Sequence, residues 1–490
     1  MESAVQTGLS YLLKSILIAT SIVAISWFIS QGEFKVLAIL GALPFLVAII
    51  YYLFLRPAHA LHVTIIMAFL AIGFTRYVNA PLGLLVDICL LATILVALFQ
   101  TKSNTKWHLL NNSLVYLTLI WILYCILQIF NPEARSFAAW FYAVRGVALY
   151  MALTIPLTLL YFNKNKNLNT FFKLTFILTI VGAIWGLKQF VFGVDSFENA
   201  WLNTGPRQTH VLAGQLRIFS FFSDAGQFGA GMAHVGVIAS ILGLGPFVWK
   251  KKIFFFFMAA ICFWMMLLSG TRGSFFVPVV GFMAYFFVIR NFKVLFLGII
   301  ALFAVFAFLK YTNIGNESFQ IRRLRSAVNP DDPSFQVRLE NQKRYREYLS
   351  TRPFGGGIGT AGSWGKRFSP GTFLADTPTD SWYVKIWGET GIVGLSYHIF
   401  MILFILFIGI KFIWRIRDPV LKTKIIALYS GFAGIAFASY GNPLLGQMPT
   451  GILLYMSWAF IYLSPYLDDE IANQPENEQL TSRIHHQHQL

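Results

Sequence analysis

The chain has 490 residues, of which 57% are apolar, 17% aromatic and 12% charged. A soluble domain carries roughly a quarter charged residues and about half apolar ones, and one globular core of this size cannot hide the surplus. The net charge of +17 would suggest nucleic-acid binding in a soluble protein, but here the basic residues sit mostly in short segments between apolar blocks, so they read as topology signals and imply no nucleic-acid partner.

The apolar residues fall in blocks long enough to cross a bilayer, ~20 residues each. In chain order the candidate spans are 9–29, 36–55, 60–75, 81–100, 112–130, 138–161, 171–193, 226–248, 252–269, 274–290, 293–311, 387–413, 423–440 and 449–465. The first block lacks a small-residue cleavage site and is expected to stay as a helix. The fold class is therefore an all-α polytopic membrane protein of about fourteen transmembrane helices. Five parts follow: N-terminal helices over 1–200, central helices with Arg-bearing loops over 201–311, a large loop over 312–386, C-terminal helices over 387–465, and a polar tail over 466–490. Cys89, Cys125 and Cys262 lie inside apolar blocks and read as small buried hydrophobes.

An even number of spans puts both termini on one side. One set of loops holds Arg56, Lys102, Lys106, Lys164, Lys166, Lys250, Lys251, Lys252, Arg290, Lys293, Lys411, Arg415, Arg417, Lys422 and Lys424. The opposite short loops hold Lys35, Arg76, Arg135, Arg207, Arg217 and Arg272. The positive-inside rule makes the first set cytoplasmic, and both termini with it. The outer set is nearly all Arg, the residue whose planar fork grips phosphate or carboxylate, and so points to an anionic ligand at the outer face. Chance and interfacial snorkelling are the alternative.

Asp87, Arg145 and Lys188 fall within spans, in the outer half of the bilayer, where charges pair or line a polar cavity. Asp87 could pair with Arg145 or Lys188, or these side chains could meet substrate. Lys14 and Lys310 lie near helix ends and are expected to snorkel. His234, at mid-span, reads as a hydrogen-bonded packing residue. The 312–386 connection is far longer than ordinary loops, which marks it as functional. It holds an expected amphipathic helix, Phe335–Leu349, with Phe335, Leu339, Gln342, Tyr345 and Leu349 on one face and Arg338, Lys343, Arg344 and Glu347 opposite. Lying on the outer membrane surface, that helix would cap a cavity. The tail with His485, His486 and His488 is expected to be disordered.

Three stretches carry more than topology. The first runs from Arg217-Ile218-Phe219-Ser220-Phe221-Phe222-Ser223-Asp224 to Gly229. The second is Ser269-Gly270-Thr271-Arg272-Gly273-Ser274. The third starts near Arg338, passes Pro353-Phe354-Gly355-Gly356-Gly357-Ile358-Gly359, and ends at Asp380-Ser381-Trp382-Tyr383 and Glu389-Thr390-Gly391-Ile392-Val393-Gly394. In this order they resemble the O-antigen ligase and Wzy-type O-antigen or exopolysaccharide polymerase family, mainly over 200–410. Arg344 and Gly355 enclose ten residues, a spacing that resembles an Arg/Gly loop motif of such polymerases. The loop at 217 misses that spacing by one at Gly229.

The resemblance implies glycan transfer from a polyprenyl-pyrophosphate carrier on the outer face of the bacterial cytoplasmic membrane, by a metal-independent, inverting enzyme of GT-C-like architecture that uses no cofactor. A polymerase joins oligosaccharide repeat units, whereas a ligase passes the glycan to lipid A core. Membrane lipid, chain-length regulators and export proteins are the partners it suggests. Chemistry makes its own demand: a pyrophosphate leaving group gains charge as the anomeric bond breaks, and preorganised Arg side chains stabilise it. Arg217 and Arg272 match the family's loop arginines, followed by Arg145 and Arg338, with Arg207, Arg344, Gly355, Gly357, Tyr383 and Glu389 as further binding candidates. Ligases of the family carry His-Asn nine residues before the Glu of Glu-x-Gly. Here that position is Asp380, followed by Ser381, a departure that favours a polymerase and makes Asp380 the candidate base. Its alternative role is a helix N-cap. Glu389 and Gly391 could serve mainly to set the start of the helix, and Asn329-Pro330-Asp331-Asp332-Pro333 reads as a turn in preference to a metal pair. A secondary transporter is a more distant reading, since no paired Gly/Pro-broken halves are visible, and a non-catalytic assembly partner is a third.

Overall fold

The computed structural model describes residues 52–53, 56–78, 80, 82–99, 106–212, 214–327 and 329–473. The expected first span, nearly all of the second, Lys14, Lys35, Lys102 and the histidine tail lie outside the described residues. Residues 1–60 form one unit and residues 61–490 another.

Twelve apolar helices stand where the remaining twelve blocks were expected. They are α1 (Pro57–Phe74), α2 (Leu84–Phe99), α3 (Ser113–Phe130), α4 (Phe137–Tyr161), α5 (Asn165–Phe192), α7 (Ala225–Leu244), α8 (Trp249–Leu268), α9 (Arg272–Val288), α10 (Phe292–Tyr311), α13 (Trp382–Arg415), α14 (Pro419–Ala438) and α15 (Thr450–Ala472). Shorter, more polar helices join them, among them α6 (Ser196–Asn203), α11 (Phe319–Ala327) and α12 (Pro333–Leu349). Among the described residues, nine helices are long and apolar enough to cross a membrane, and three apolar helices are shorter. The chain is an all-α, multi-pass membrane protein.

Some boundaries differ from expectation, each for a local reason. α13 starts at Trp382, not 387, because the Ser381 side chain caps it by accepting the Val384 N–H. α5 begins at Asn165, whose side chain donates to Leu467 O and Glu470 Oε2 at 2.8 and 2.9 Å. α15 continues to Ala472, past the expected 465, because Asp468 accepts from the Arg417 and Asp418 backbones and stays folded against them.

Without water to drive apolar surfaces together, membrane helices associate by close packing of small residues. α7, α14 and α15 are the most buried spans, and α14 meets α9 backbone to backbone. A Cβ added at Gly434 would lie 2.3 Å from Val277 O, and one at Gly281 would lie 3.1 Å from Ser430 O. Between α7 and α14 sits His234, buried against Gly431. Among the described residues neither of its ring nitrogens has a hydrogen-bond partner, so packing alone holds it and the expected hydrogen bond is not formed.

Backbone contacts also lock the long loop to the bundle. α13 is broken at Gly391, whose φ of 69° and ψ of −171° are open only to glycine. Into that break lies the 353–359 segment: Gly356 N–H donates to Gly388 O and Gly357 N–H to Glu389 O, both at 2.9 Å. Gln128 and Asn131 of the α3 end donate to Phe354 O and Gly355 O.

Gly434→Leu should therefore overpack the α9–α14 contact and cost about 1–3 kcal/mol, read as a lower melting temperature of the purified protein. Gly83→Ala, with nothing within 4 Å of the added Cβ, should leave it unchanged.

Candidate active site

The site is built at the bundle end that carries the 193–224, 269–271 and 312–381 connections. A short hairpin, β1 (Val211–Leu212) paired with β2 (Gln215–Leu216), delivers Arg217, whose N–H closes onto His210 O at 2.8 Å. The segment that follows is pinned from below. Gln189 Oε1 accepts from the Phe219 and Ser220 N–H groups, and Ser220 Oγ donates to Gly182 O. Gln189 is held in turn by Glu198, which also receives Trp185 and Lys188. Asp195 and Glu198 form a capping box on α6. Lys188 is thus paired with Asp195 at 2.8 Å and Glu198 at 3.0 Å, away from Asp87.

Arg217 grips the α8–α9 turn. Its Nε donates to Ser269 O at 3.2 Å, one terminal nitrogen to Thr271 Oγ1 at 2.7 Å and the other to Thr209 O at 2.8 Å. Arg323 of α11 reaches the same turn, donating to Gly270 O at 3.2 Å. Gly270 holds φ at +58° there, which lets the turn stay tight. Next along the chain, Arg272 forms an ion pair with Asp332 at 2.5 Å. Asp332 also caps α12, accepting from Ser334 and Phe335 N–H, so the Pro330–Pro333 turn aims its carboxylate at arginine. Arg338, one and a half turns into α12, comes within 3.8 Å of Asp380. It lies on the inward edge of the helix, not on the outer polar face expected for it, because the face that packs holds Asn341, Tyr345 and Leu349.

Arg272, Arg338 and Asp380 line one cavity of about 390 Å³, together with Gln342, Ser381 and Tyr440 and the rings of Phe276, Phe335 and Phe437. Asp380 is not the cap of α13, since Ser381 fills that position. It holds the left-handed conformation, φ +47°, which is unfavourable for a non-glycine residue and is kept where the surroundings enforce it. Its carboxylate faces the cavity beside Arg338. A second, apolar cavity of about 380 Å³ lies alongside, walled by Trp387, Leu395, Ile399 and Leu403. Gln342 and Tyr440, hydrogen-bonded to each other at 3.2 Å, line both.

The electrostatics follow from this crowding. Burial, then repulsion from Arg323 and Arg272, pushes the Arg217 guanidinium down to about 10. Burial and Arg272 lower Arg323 in the same way. Burial opposes the ionisation of Asp332, yet the Arg272 guanidinium holds its carboxyl below the ordinary value. All three remain charged near neutrality.

The other candidates lie elsewhere. Arg145 begins a π-helical turn in α4 and forms an ion pair with Asp87 of α2. Arg207 is exposed and donates to Asn199 and Asn203. Arg344 is exposed beside the Phe373 ring. Gly355 and Gly357 are buried against the Gly388–Gly391 and Ala134 backbones, where an added Cβ would clash. Tyr383 donates to Ala436 O at 2.6 Å and lines the apolar cavity. Glu389 is fully buried beside Lys385 at 3.2 Å. Among the described residues no three His, Cys, Asp or Glu side chains gather as a metal site would need. Sequence reasoning passed over Arg323, although the run Arg322-Arg323-Leu324-Arg325 in the long loop is a visible cationic signal.

Two outcomes are expected. Inorganic pyrophosphate should raise the melting temperature of the purified protein, and Arg323→Ala should weaken its apparent affinity about tenfold by removing one charge-assisted contact; unchanged affinity would place Arg323 outside the site. The Asp332 carboxyl is lower in the folded than in the unfolded chain. Its contribution to stability is therefore full above the unfolded carboxyl value and lost as pH falls through the folded one, and Asp332→Asn should flatten the acid limb of a stability–pH curve.

No curated protein matches the chain. A family model described as O-antigen ligase matches residues 256–399. That stretch runs from α8 through the long loop and past the break in α13. Arg217 lies outside it. Over residues 256–399, which hold Arg272, Arg323, Arg338 and Asp380, the chain is similar to the O-antigen ligase family.

Proposed function

We propose that the protein is a membrane glycosyltransferase that polymerises polyprenyl-pyrophosphate-linked oligosaccharide repeat units, in O-antigen or exopolysaccharide synthesis, on the outer face of the bacterial cytoplasmic membrane. The observation that carries this reading is the gathering of Arg217, Arg323, Arg272 and Arg338 at one bundle end, where Arg272, Arg338 and Asp380 line one cavity and Arg217 and Arg323 hold the adjoining turn. The loop charge pattern supports the outer placement.

In the proposed reaction the acceptor hydroxyl oxygen attacks the anomeric carbon on the face opposite the pyrophosphate. A new C–O bond forms as the bond to the pyrophosphate oxygen breaks, and the electron pair leaves with the diphosphate. Asp380 takes the hydroxyl proton. The arginines stabilise the growing negative charge, and because they are already held in place little reorganisation accompanies the reaction. The apolar cavity beyond Gln342 and Tyr440 suits the prenyl chain. Inverting transfer without a metal, on a GT-C-like scaffold, agrees with a leaving group stabilised by guanidinium alone.

A ligase passing glycan to lipid A core is the second reading, favoured by the description of the matched family. Asp380, in place of the His of ligases, favours polymerase. Deleting the gene and separating surface glycans on a gel decides between them: single repeat units on lipid A core mean polymerase, long chains left on the carrier mean ligase, and unchanged glycans mean neither. Asp380→Asn should insert normally and lose chain growth by roughly 100-fold or more. Arg217→Ala and Arg272→Ala should likewise insert and leave only short glycans; wild-type chain lengths in these variants would falsify the assignment.

A further inference from the structure

The opposite end of the bundle holds a second charged cavity. It is about 550 Å³ in volume, and Lys252, Arg290 and Lys422 line it with no carboxylate among them. Lys252 lies in the first turn of α8 and Lys422 in the first turn of α14. Helix N-termini favour anions, and the N-terminus of α8, which carries no side-chain cap, adds to the field of the three cations. The nearby acids are engaged: Asp418 caps α14 by accepting Leu421 N–H at 2.6 Å, and Asp468 and Asp469 hold Arg417.

Arg290 is built in as well. It holds φ at +55° and stacks its guanidinium on the Trp414 ring at 3.4 Å, while the Trp414 indole N–H donates to Val288 O at 3.0 Å. A charge needed only for topology requires neither left-handed backbone nor a ring beneath it. The remaining walls are apolar and include Leu244, Val288 and Ile426. Leu244 ends α7, Val288 ends α9 and Ile426 lies two turns into α14, so the walls continue from the cations into the apolar bundle, where acyl chains reach.

We infer that this cavity binds the phosphate headgroup of an anionic phospholipid. Lys252, Arg290 and Lys422 hold the phosphate, and the apolar walls take the first carbons of the acyl chains. A free phosphate would satisfy the cations and leave those walls bare. Basic recesses between spans are suited to such headgroups. The site is separate from the arginine cluster, since α8 and α9 each run from one end to the other.

The test uses the full-length protein in detergent. Phosphatidylglycerol should raise the melting temperature and give retained lipid adducts in native mass spectrometry, whereas phosphatidylcholine and inorganic phosphate at equal concentration should not. The combined Lys252→Gln, Arg290→Gln, Lys422→Gln variant should hold phosphatidylglycerol about 100-fold more weakly. Lys250→Gln, an exposed neighbour off the cavity, should keep it. If the triple variant fails to fold, Arg290→Lys, which keeps the charge and loses the planar stack, should still weaken binding. Equal effects of both lipids, full retention by the variants, or stabilisation by inorganic phosphate alone would each overturn the inference.

Discussion

Guanidinium groups repel one another, and a chain that gathers Arg217, Arg272, Arg323 and Arg338 at one end of an apolar bundle must hold them there against that repulsion. Backbone geometry does so here. Ser269 O, Gly270 O and Thr209 O accept from Arg217 and Arg323, while Asp332 neutralises Arg272. The carboxylates within electrostatic reach, Asp224, Asp332 and Asp380, do not cancel four cations. The surplus is what an incoming diphosphate would relieve, and since the arginines are fixed beforehand, most of that relief is available as stabilisation.

The scaffold serves this end through two devices. The polar knot of Lys188, Gln189, Asp195 and Glu198 fixes the 217–222 segment, and through it the grip of Arg217 on the α8–α9 turn. The break at Gly391 seats the 353–359 segment, which anchors the far end of the long loop. Between these anchors α11 and α12 are carried across the bundle end, so that Arg338 meets Asp380 and Arg323 reaches the turn beside Arg272. Glycines that look like a ligand-binding loop in the sequence therefore act as joints: Gly355 and Gly357 lie on other backbones, where no side chain could fit.

Local signals made much of this legible. Apolar length located the twelve described apolar helices, nine of them long enough to span, and the Pro330–Pro333 turn with the apolar spacing beyond it located α12. The Asp380-Ser381 pair marked the start of α13, although the cap proved to be Ser381, one residue later, which changes what Asp380 is free to do. Long-range pairings were less visible. Nothing local told whether Arg145 would meet substrate or Asp87, or that Lys188 would turn to Asp195 and Glu198. Those choices depend on which helices lie side by side, as does the recruitment of Arg323 to a turn some fifty residues earlier in the chain.

The two bundle ends use positive charge differently. One sets arginines around a cavity with a single facing carboxylate, suited to chemistry, and the other sets Lys252, Arg290 and Lys422 around a cavity with none, suited to binding alone. A density map of the protein with a bound prenyl pyrophosphate would test the central claim most directly. The account predicts diphosphate oxygens within hydrogen-bonding distance of Arg272 and at least one of Arg217, Arg323 and Arg338, with the prenyl chain passing Tyr440. A diphosphate seated away from all four arginines would contradict it.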